Sequence, residues 1–441
     1  MTHGMKTLML AVALLGIVTI QSRAEDLQRK PNVIIIISDD CGYNEFSMHG
    51  SKTIKTPRID SIGVKGVRFT NGYVSGSVCS PSRAGLLTGR YQQKFGHEFN
   101  IPPKYSETNG LPLSETLIPA ILRDEASYRT IAIGKWHLGY APKFHPMSRG
   151  FTDYYGFLQG ARSYWPLDKP TRLNQLLRDR TPIQPEDFDY MTDELARESS
   201  AYIRKFREEP FFLYISFNAT HGPNHATDSD LAANDGNKIA AMTSALDRGV
   251  GMILDALEET GQTSDTLLFF INDNGGARGH DNAPLRGMKG QTFEGGIRVP
   301  FLVQWPGKIP GGQVVDSPVI ALDIVPTALA AAGIPLENTK RAPLDGVNLL
   351  PFMQTEFLET TKLSERFLYW KHGSAWAVRQ GAFKLVEGSR DQTGGKPQLF
   401  NLQHDPAEKF DVAEENPDLA DRLLDAYLTW KSEHKPTAWA D

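Results

Sequence analysis

Residues 34–43 read IIIISDDCGY, and Val33 precedes them. The apolar run Val33–Ser38 has the length of a strand, and two carboxylates, Asp39 and Asp40, stand immediately beyond its end. Working outward, further short apolar runs at Thr130–Gly134, Phe211–Phe217, Leu267–Ile271 and Val299–Gln304 read as strands. Amphipathic patterns over Ser114–Ala126, Thr192–Phe206, Met242–Thr260 and Asp323–Ala332 read as helices, with Thr192 expected to cap the second. This alternation predicts an α/β fold with a large, mixed, mostly parallel central sheet flanked by helices.

The pattern changes near residue 355. Phe367–Trp370, Trp376–Arg379, Phe383–Val386 and Gln398–Leu402 are closely spaced runs broken by Gly and Asp, and a helical pattern covers Pro417–Trp430. They predict a small C-terminal α+β domain, an antiparallel sheet plus a helix, over residues 356–441. The large domain is expected over residues 25–355, and residues 1–24 read as a signal peptide. Lys6 supplies its positive flank, Leu8–Ile20 its apolar run, and Ser22 and Ala24 the small residues of a cleavage site. That apolar run is too short to span a bilayer, no cysteine follows it for lipid attachment, and no later segment is long and apolar enough to cross. The expected location is therefore secreted or periplasmic, without a stable membrane anchor. With 441 residues and a net charge of -5, the chain has material for a large core and lacks the basic balance of a general nucleic-acid binder.

The chemistry gathers at strand ends. Asp39 and Asp40 follow the first strand, Lys135 and His137 the second, His221 the third, and Asp273 and Asn274 the fourth. Ligands of open parallel sheets bind beyond those carboxyl ends. Each pair alone is compatible with an ordinary turn. Together, Asp39, Asp40, Asp273 and Asn274 form an all-oxygen set suited to a hard cation such as calcium or magnesium, and no zinc-type His/Cys spacing appears. The two cysteines, Cys41 and Cys79, could form one disulfide. The setting of Cys79, VCSPSRAGLLTGRY over residues 78–91, favours a reactive role instead: Ser80 can cap and Pro81 can open a helix, placing Cys79 at its positive end with Arg83 on the first turn.

CSPSR at residues 79–83 followed by LLTGR at 86–90 resembles the signature of type I sulfatases of the alkaline phosphatase superfamily. IGKWHLG (133–139), NATHGP (218–223), INDNGG (271–276) and PLRGMKGQTFEGGIRVP (284–300) match in the family's order. LFNLQHDPAEKFDVAEENP (399–417) is similar to the family's C-terminal region. The resemblance implies that a formylglycine-generating enzyme converts Cys79 to Cα-formylglycine. It implies Ca2+ held by Asp39, Asp40, Asp273, Asn274 and the modified Cys79. Arg83 then supports the formylglycine hydrate, while Lys135, His137, His221 and Lys289 serve the sulfate and the proton transfers. His221 or Lys289 is the implied acid for the leaving alcohol and His137 the base that frees sulfate. The implied activity is hydrolysis of sulfate monoesters on a sulfated carbohydrate, an algal galactan or a glycosaminoglycan. A phosphoester or phosphonate hydrolase and a non-catalytic sulfated-glycan-binding protein are the alternatives. His97, Arg149, Arg162, Trp165, His225 and Arg286, with Tyr164 and His280, are candidates for the substrate mouth.

Overall fold

The computed structural model describes residues 30–337, 341–354 and 361–439. The signal-peptide reading and the domain boundary near residue 355 lie outside the described residues. The first strand, Asn32–Ser38, is buried along its whole length. Alternation explains the unbroken apolar run: Val33, Ile35 and Ile37 enter the core on one face of the sheet, Ile34 and Ile36 the core on the other.

That strand lies at the centre of a ten-stranded sheet. The order is Gln313–Val315, Val67–Phe69, Phe301–Gln304, Thr266–Asn272, Asn32–Ser38, Phe211–Ser216, Arg129–Lys135, Asp153–Phe157, Leu177–Arg178 and Thr181–Pro182. From Thr266–Asn272 to Asp153–Phe157 every pairing is parallel. Phe301–Gln304 runs antiparallel to both its neighbours. Helices Met191–Lys205 and Lys238–Glu259 cover one face, and Cys79–Thr88, Ile118–Ala126 and Ile324–Ala331 the other.

Element positions agree with the sequence reading, and some ends shift for identifiable reasons. The helix expected from Thr192 begins at Met191, with Tyr190 in the cap position and no side-chain cap. The Met191 N–H donates to Tyr164 O at 2.8 Å, so a tertiary contact fixes that start and Thr192 sits within the first turn. The strand expected from Val299 starts at Phe301, because Pro300 has no N–H to pair.

Strands Phe367–His372, Ala375–Gln380, Phe383–Glu387 and Gln398–Asn401 form the antiparallel meander, covered by helix Pro417–Lys431. Its core is shared with the large sheet's side of the molecule: Trp370, Trp376 and Tyr427 pack in one cluster with Tyr73, Tyr91, Phe293 and Ile297. Among the described residues no helix is long and apolar enough to cross a membrane.

Candidate active site

Register brings the polar groups together. Ser38 lies opposite Asn272, Ile37 opposite Ser216, and Ser216 opposite Gly134. The parallel strands therefore end in line, and the residues that follow enter one crevice. Asp40 and His137 have φ of 63° and 55°, a left-handed conformation that costs a non-glycine residue roughly 1 kcal/mol and turns the chain sharply at the strand end.

The helix beneath them starts at Cys79 itself, two residues earlier than the Ser-Pro pair suggested, with Val78 in the cap position. Ser80 does not cap: its hydroxyl donates to His137 O at 2.6 Å, and Asn100 Oδ1 accepts from the Ser80 N–H at 2.9 Å. All residues of Cys79–Thr88 are buried, so each polar side chain on this helix must find a partner inside the fold.

Cys79 Sγ lies 3.5 Å from Asp39 Oδ1, 3.9 Å from Asp40 Oδ1 and 3.2 Å from Lys289 Nζ. Lys135 Nζ contacts Asp39 Oδ2 at 2.5 Å, and Lys289 Nζ bridges both Asp40 oxygens at 2.7 and 2.8 Å. Arg83 donates twice to Asp273 Oδ2, at 2.8 and 3.0 Å, and also reaches Ser216 Oγ. His221 Nε2 is 3.6 Å from Asp40 Oδ2. Its Nδ1 lies 2.7 Å from Gly222 O, which can only accept, so Nδ1 carries the proton and Nε2 faces the crevice.

The donor set fits a hard cation. Oxygens of Asp39 and Asp40, Cys79 Sγ and a His221 ring nitrogen all lie within 4.8 Å of one another. Asn274 donates its Nδ2–H to Asp40 Oδ1 at 2.8 Å, while its Oδ1 is buried with no partner. A buried carbonyl oxygen without a donor beside a carboxylate cluster is an atom that a metal ion satisfies. The Lys289 ammonium, seated against Asp40 and Cys79, shows that a cation is accommodated there. Asp273 is turned differently from its neighbours, with Oδ2 engaged by Arg83 and Oδ1 accepting the Asp40 N–H at 3.3 Å.

The field of this cluster acts in opposite senses on its members. Burial raises the Cys79 thiol far above its usual value, Asp273 adds to the effect, and Lys135 and Lys289 do not offset it. An unmodified Cys79 is thus a protonated, poor nucleophile. Burial also pushes the Asp273 carboxyl up, but Arg83 and Lys135 outweigh it and hold it below the usual range. His137 is driven well below the normal imidazole value by burial, then by Lys135 and Arg83. It stays neutral, and its Nδ1 is buried without a partner. Fixed cations, carboxylates and a neutral imidazole in one crevice suit a tetrahedral anion together with a metal ion.

Comparison with known proteins agrees with that chemistry. The Sulfatase family model matches residues 31–334. The chain belongs to the sulfatase family. A model described as N-sulphoglucosamine sulphohydrolase, C-terminal, matches residues 288–426 of this sulfatase. Human N-acetylgalactosamine-6-sulfatase is 29% identical over 436 residues, 88% of this chain and 83% of the relative. Human arylsulfatase A is 31% identical, covering 87% and 83%. The crystal structure of Ps i-CgsB in complex with k-i-k-neocarrahexaose is 35% identical with a TM-score of 0.86, covering 93% of this chain and 95% of that one. The enzyme is a sulfuric ester hydrolase.

The expected mouth residues divide. His97, Arg149 and Arg162 of this sulfatase are buried and paired within the fold. His97 contacts Ser80 Oγ, Arg149 donates to the carbonyls of Leu111, Pro112 and Glu115, and Arg162 forms a buried pair with Glu186 at 2.6 Å. Arg286 donates to Glu408 O and Gln392 O and covers the Phe293 ring. Tyr164 is buried and donates to the carbonyls of Asn218 and His221, and His280 pairs with Glu45 at 2.9 Å. Each of these is spent on the scaffold. Trp165 and His225 are half-buried, stacked on each other with ring centroids 6.3 Å apart, and His225 lies four residues from His221. Both cysteines are free. Sequence reasoning missed Ser216, whose place at a parallel strand end was a usable signal, and Asn100, for which the sequence holds none.

Proposed function

We propose that this sulfatase removes sulfate from a sulfated carbohydrate of the galactan class exemplified by k-i-k-neocarrahexaose, using formylglycine made from Cys79 and calcium. The observation that carries the reading is the single buried crevice in which Asp39, Asp40, Asn274 and Cys79 meet Arg83, Lys135 and Lys289. The substrate class is supported by the likeness to Ps i-CgsB over nearly the whole of both chains.

Calcium would be held by Asp39, Asp40, Asp273, Asn274 and the modified Cys79, supplying charge stabilisation for the nonbridging sulfate oxygens. Formylglycine made from Cys79 would supply the oxygen nucleophile for sulfur. The chain's own residues do the rest. Lys135 and Lys289 hold the anionic ester as fixed cations, and Arg83, locked by Asp273, keeps its charge at the floor of the crevice. His221, with Nδ1–H committed to Gly222 O, presents Nε2 to the leaving oxygen and delivers a proton there when charged. His137 remains neutral and accepts a proton at its ring. The ring lies flat against Gly160, where a Cβ would sit 2.5 Å from His137 Cε1, so only glycine leaves it room. Trp165 and His225 offer an aromatic wall to the sugar.

Export to the periplasm or beyond, through the leader headed by Lys6, fits a polymeric substrate. A formylglycine-generating enzyme is the required partner in maturation. The test is release of inorganic sulfate from defined sulfated oligosaccharides by enzyme whose Cys79 peptide is lighter than the thiol form. Sulfate release from neocarrahexaose-type substrates, in preference to N-acetylgalactosamine 6-sulfate and to matched phosphate esters, is expected. Converted, calcium-loaded enzyme that releases no sulfate from galactan oligosaccharides refutes the substrate class.

A further inference from the structure

The segment Lys435–Trp439 is far from Cys79 in sequence, yet it grips the residues that hold the first turn of the Cys79 helix. The Lys435 N–H donates to Gln93 O at 3.1 Å and the Ala438 N–H to Gly96 O at 3.0 Å, zipping the segment onto residues 93–96. Gly96 has φ of 77°, and a Cβ there would lie 2.5 Å from Pro436 O, so the approach depends on glycine. Trp439 is 6% exposed and donates its Nε1–H to both Phe99 O, at 3.1 Å, and Asn100 O, at 2.9 Å. Its ring meets His97 edge to face with centroids 4.7 Å apart.

His97 and Asn100 are the two residues that hold Ser80. Asn100 Oδ1 accepts from the Ser80 N–H, supplying the helix-start cap that Val78 cannot. His97 Nε2 lies 2.7 Å from Ser80 Oγ. The single Ser80 hydroxyl proton goes to His137 O, which can only accept, so His97 Nε2–H must be the donor to Ser80 Oγ. A directed chain results, from His97 through Ser80 to the carbonyl of His137, with Trp439 clamping its far end. Ser80 adjoins Cys79, and His137 is the strained residue whose ring faces the crevice.

We infer that Trp439 is a positioning residue for catalysis, setting the spacing between Cys79 and His137 through His97, Asn100 and Ser80. This rests on the reading of Cys79 as the nucleophile. Displacements of about 1 Å in a reacting group can cost about a hundredfold in rate, while binding of the ester by Lys135 and Lys289 does not pass through this chain.

The experiment is a double-mutant cycle of Trp439→Ala and Ser80→Ala, on full-length protein matched for Cys79 conversion by mass, with Trp439→Phe as the conservative variant. Trp439→Ala is expected to lower kcat by about tenfold or more with KM within about twofold, the signature of lost geometry rather than lost binding. Trp439→Phe, which keeps a ring on His97, should recover part of that loss. The double variant should be no slower than the slower single variant by more than about twofold, because both act on one chain. Unchanged kcat in folded Trp439→Ala, or losses that multiply in the double variant, overturns the inference. If Trp439→Ala does not fold, the same cycle with Trp439→Phe decides by the same criterion. An active Cys79→Ala enzyme would instead sink the nucleophile reading and leave the tail result standing by itself.

Discussion

The crevice and a second buried charge cluster, at the junction with the C-terminal meander, differ in how completely they are satisfied. At the junction between the large sheet and the C-terminal meander, Lys384 Nζ lies 3.0 Å from Glu294 and 2.8 Å from Glu408. Tyr73 donates to Glu294 Oε2 at 2.7 Å, and the Glu294 N–H donates to Glu408 Oε2 at 2.7 Å. None of the side-chain polar atoms of Glu294, Lys384 or Glu408 lacks a partner. In the crevice, Asn274 Oδ1 and His137 Nδ1 are buried and unpartnered, while Lys289 and His221 keep some access to solvent. A closed network specifies how two parts pack; a network with open valences is prepared for something that arrives later.

The sharpest way to break this contrast is to remove the group around which the crevice is built. Cys79→Ala should lose turnover by at least about a thousandfold while melting within a few degrees of the parent, as measured by kinetics and calorimetry. Asp40→Asn keeps the shape of the carboxylate but removes its charge. It should lower kcat/KM by about a hundredfold and weaken calcium binding, with little change in stability in the absence of metal. Chelation of the parent enzyme should abolish activity and lower its melting temperature, and calcium should restore both better than zinc.

Glu294→Gln tests the opposite side. Leaving Lys384 with a weaker buried partner should cost about 3–5 kcal/mol of stability, with kcat of the folded fraction within about threefold of the parent. Large kinetic loss without destabilisation would show that the junction belongs to the site. The same residue sets a pH window. Burial pushes the Glu294 carboxyl up, but Lys384, Arg298 and Arg379 outweigh it and hold it at about 2, below its ordinary value of 4.5. A carboxyl depressed in the folded state contributes stability above its unfolded value and loses it as pH falls through the folded one. The parent should therefore lose stability progressively from pH 4.5 toward 2, and Glu294→Gln should flatten that slope in denaturation curves. The smallest effect is expected at the mouth. Trp165→Ala should raise KM by roughly fivefold on an oligosaccharide and leave kcat nearly unchanged, consistent with loss of one stacking surface.

The sequence by itself determined where the chemistry enters. Each buried apolar run ends in polar residues, so those after Ser38, Gly134, Ser216 and Asn272 were legible as one polar edge of the sheet. The C-terminal meander was legible too, because antiparallel runs are local and their turns are marked by Gly and Asp. Only the tertiary structure decided which cations line the crevice and which are spent on the scaffold. His97, Arg149 and Arg162 have the residue types of a glycan mouth, but a side chain's partner depends on what lies across space from it, and theirs are Ser80, backbone carbonyls and Glu186. The same holds for Glu294, which sits in a stretch that resembles a family motif yet turns toward Lys384, and for Trp439, which meets His97, Phe99 and Asn100 across most of the chain. Periodicity and turn chemistry act between neighbours in sequence, whereas burial and pairing of charge are settled by which surfaces the completed fold brings face to face.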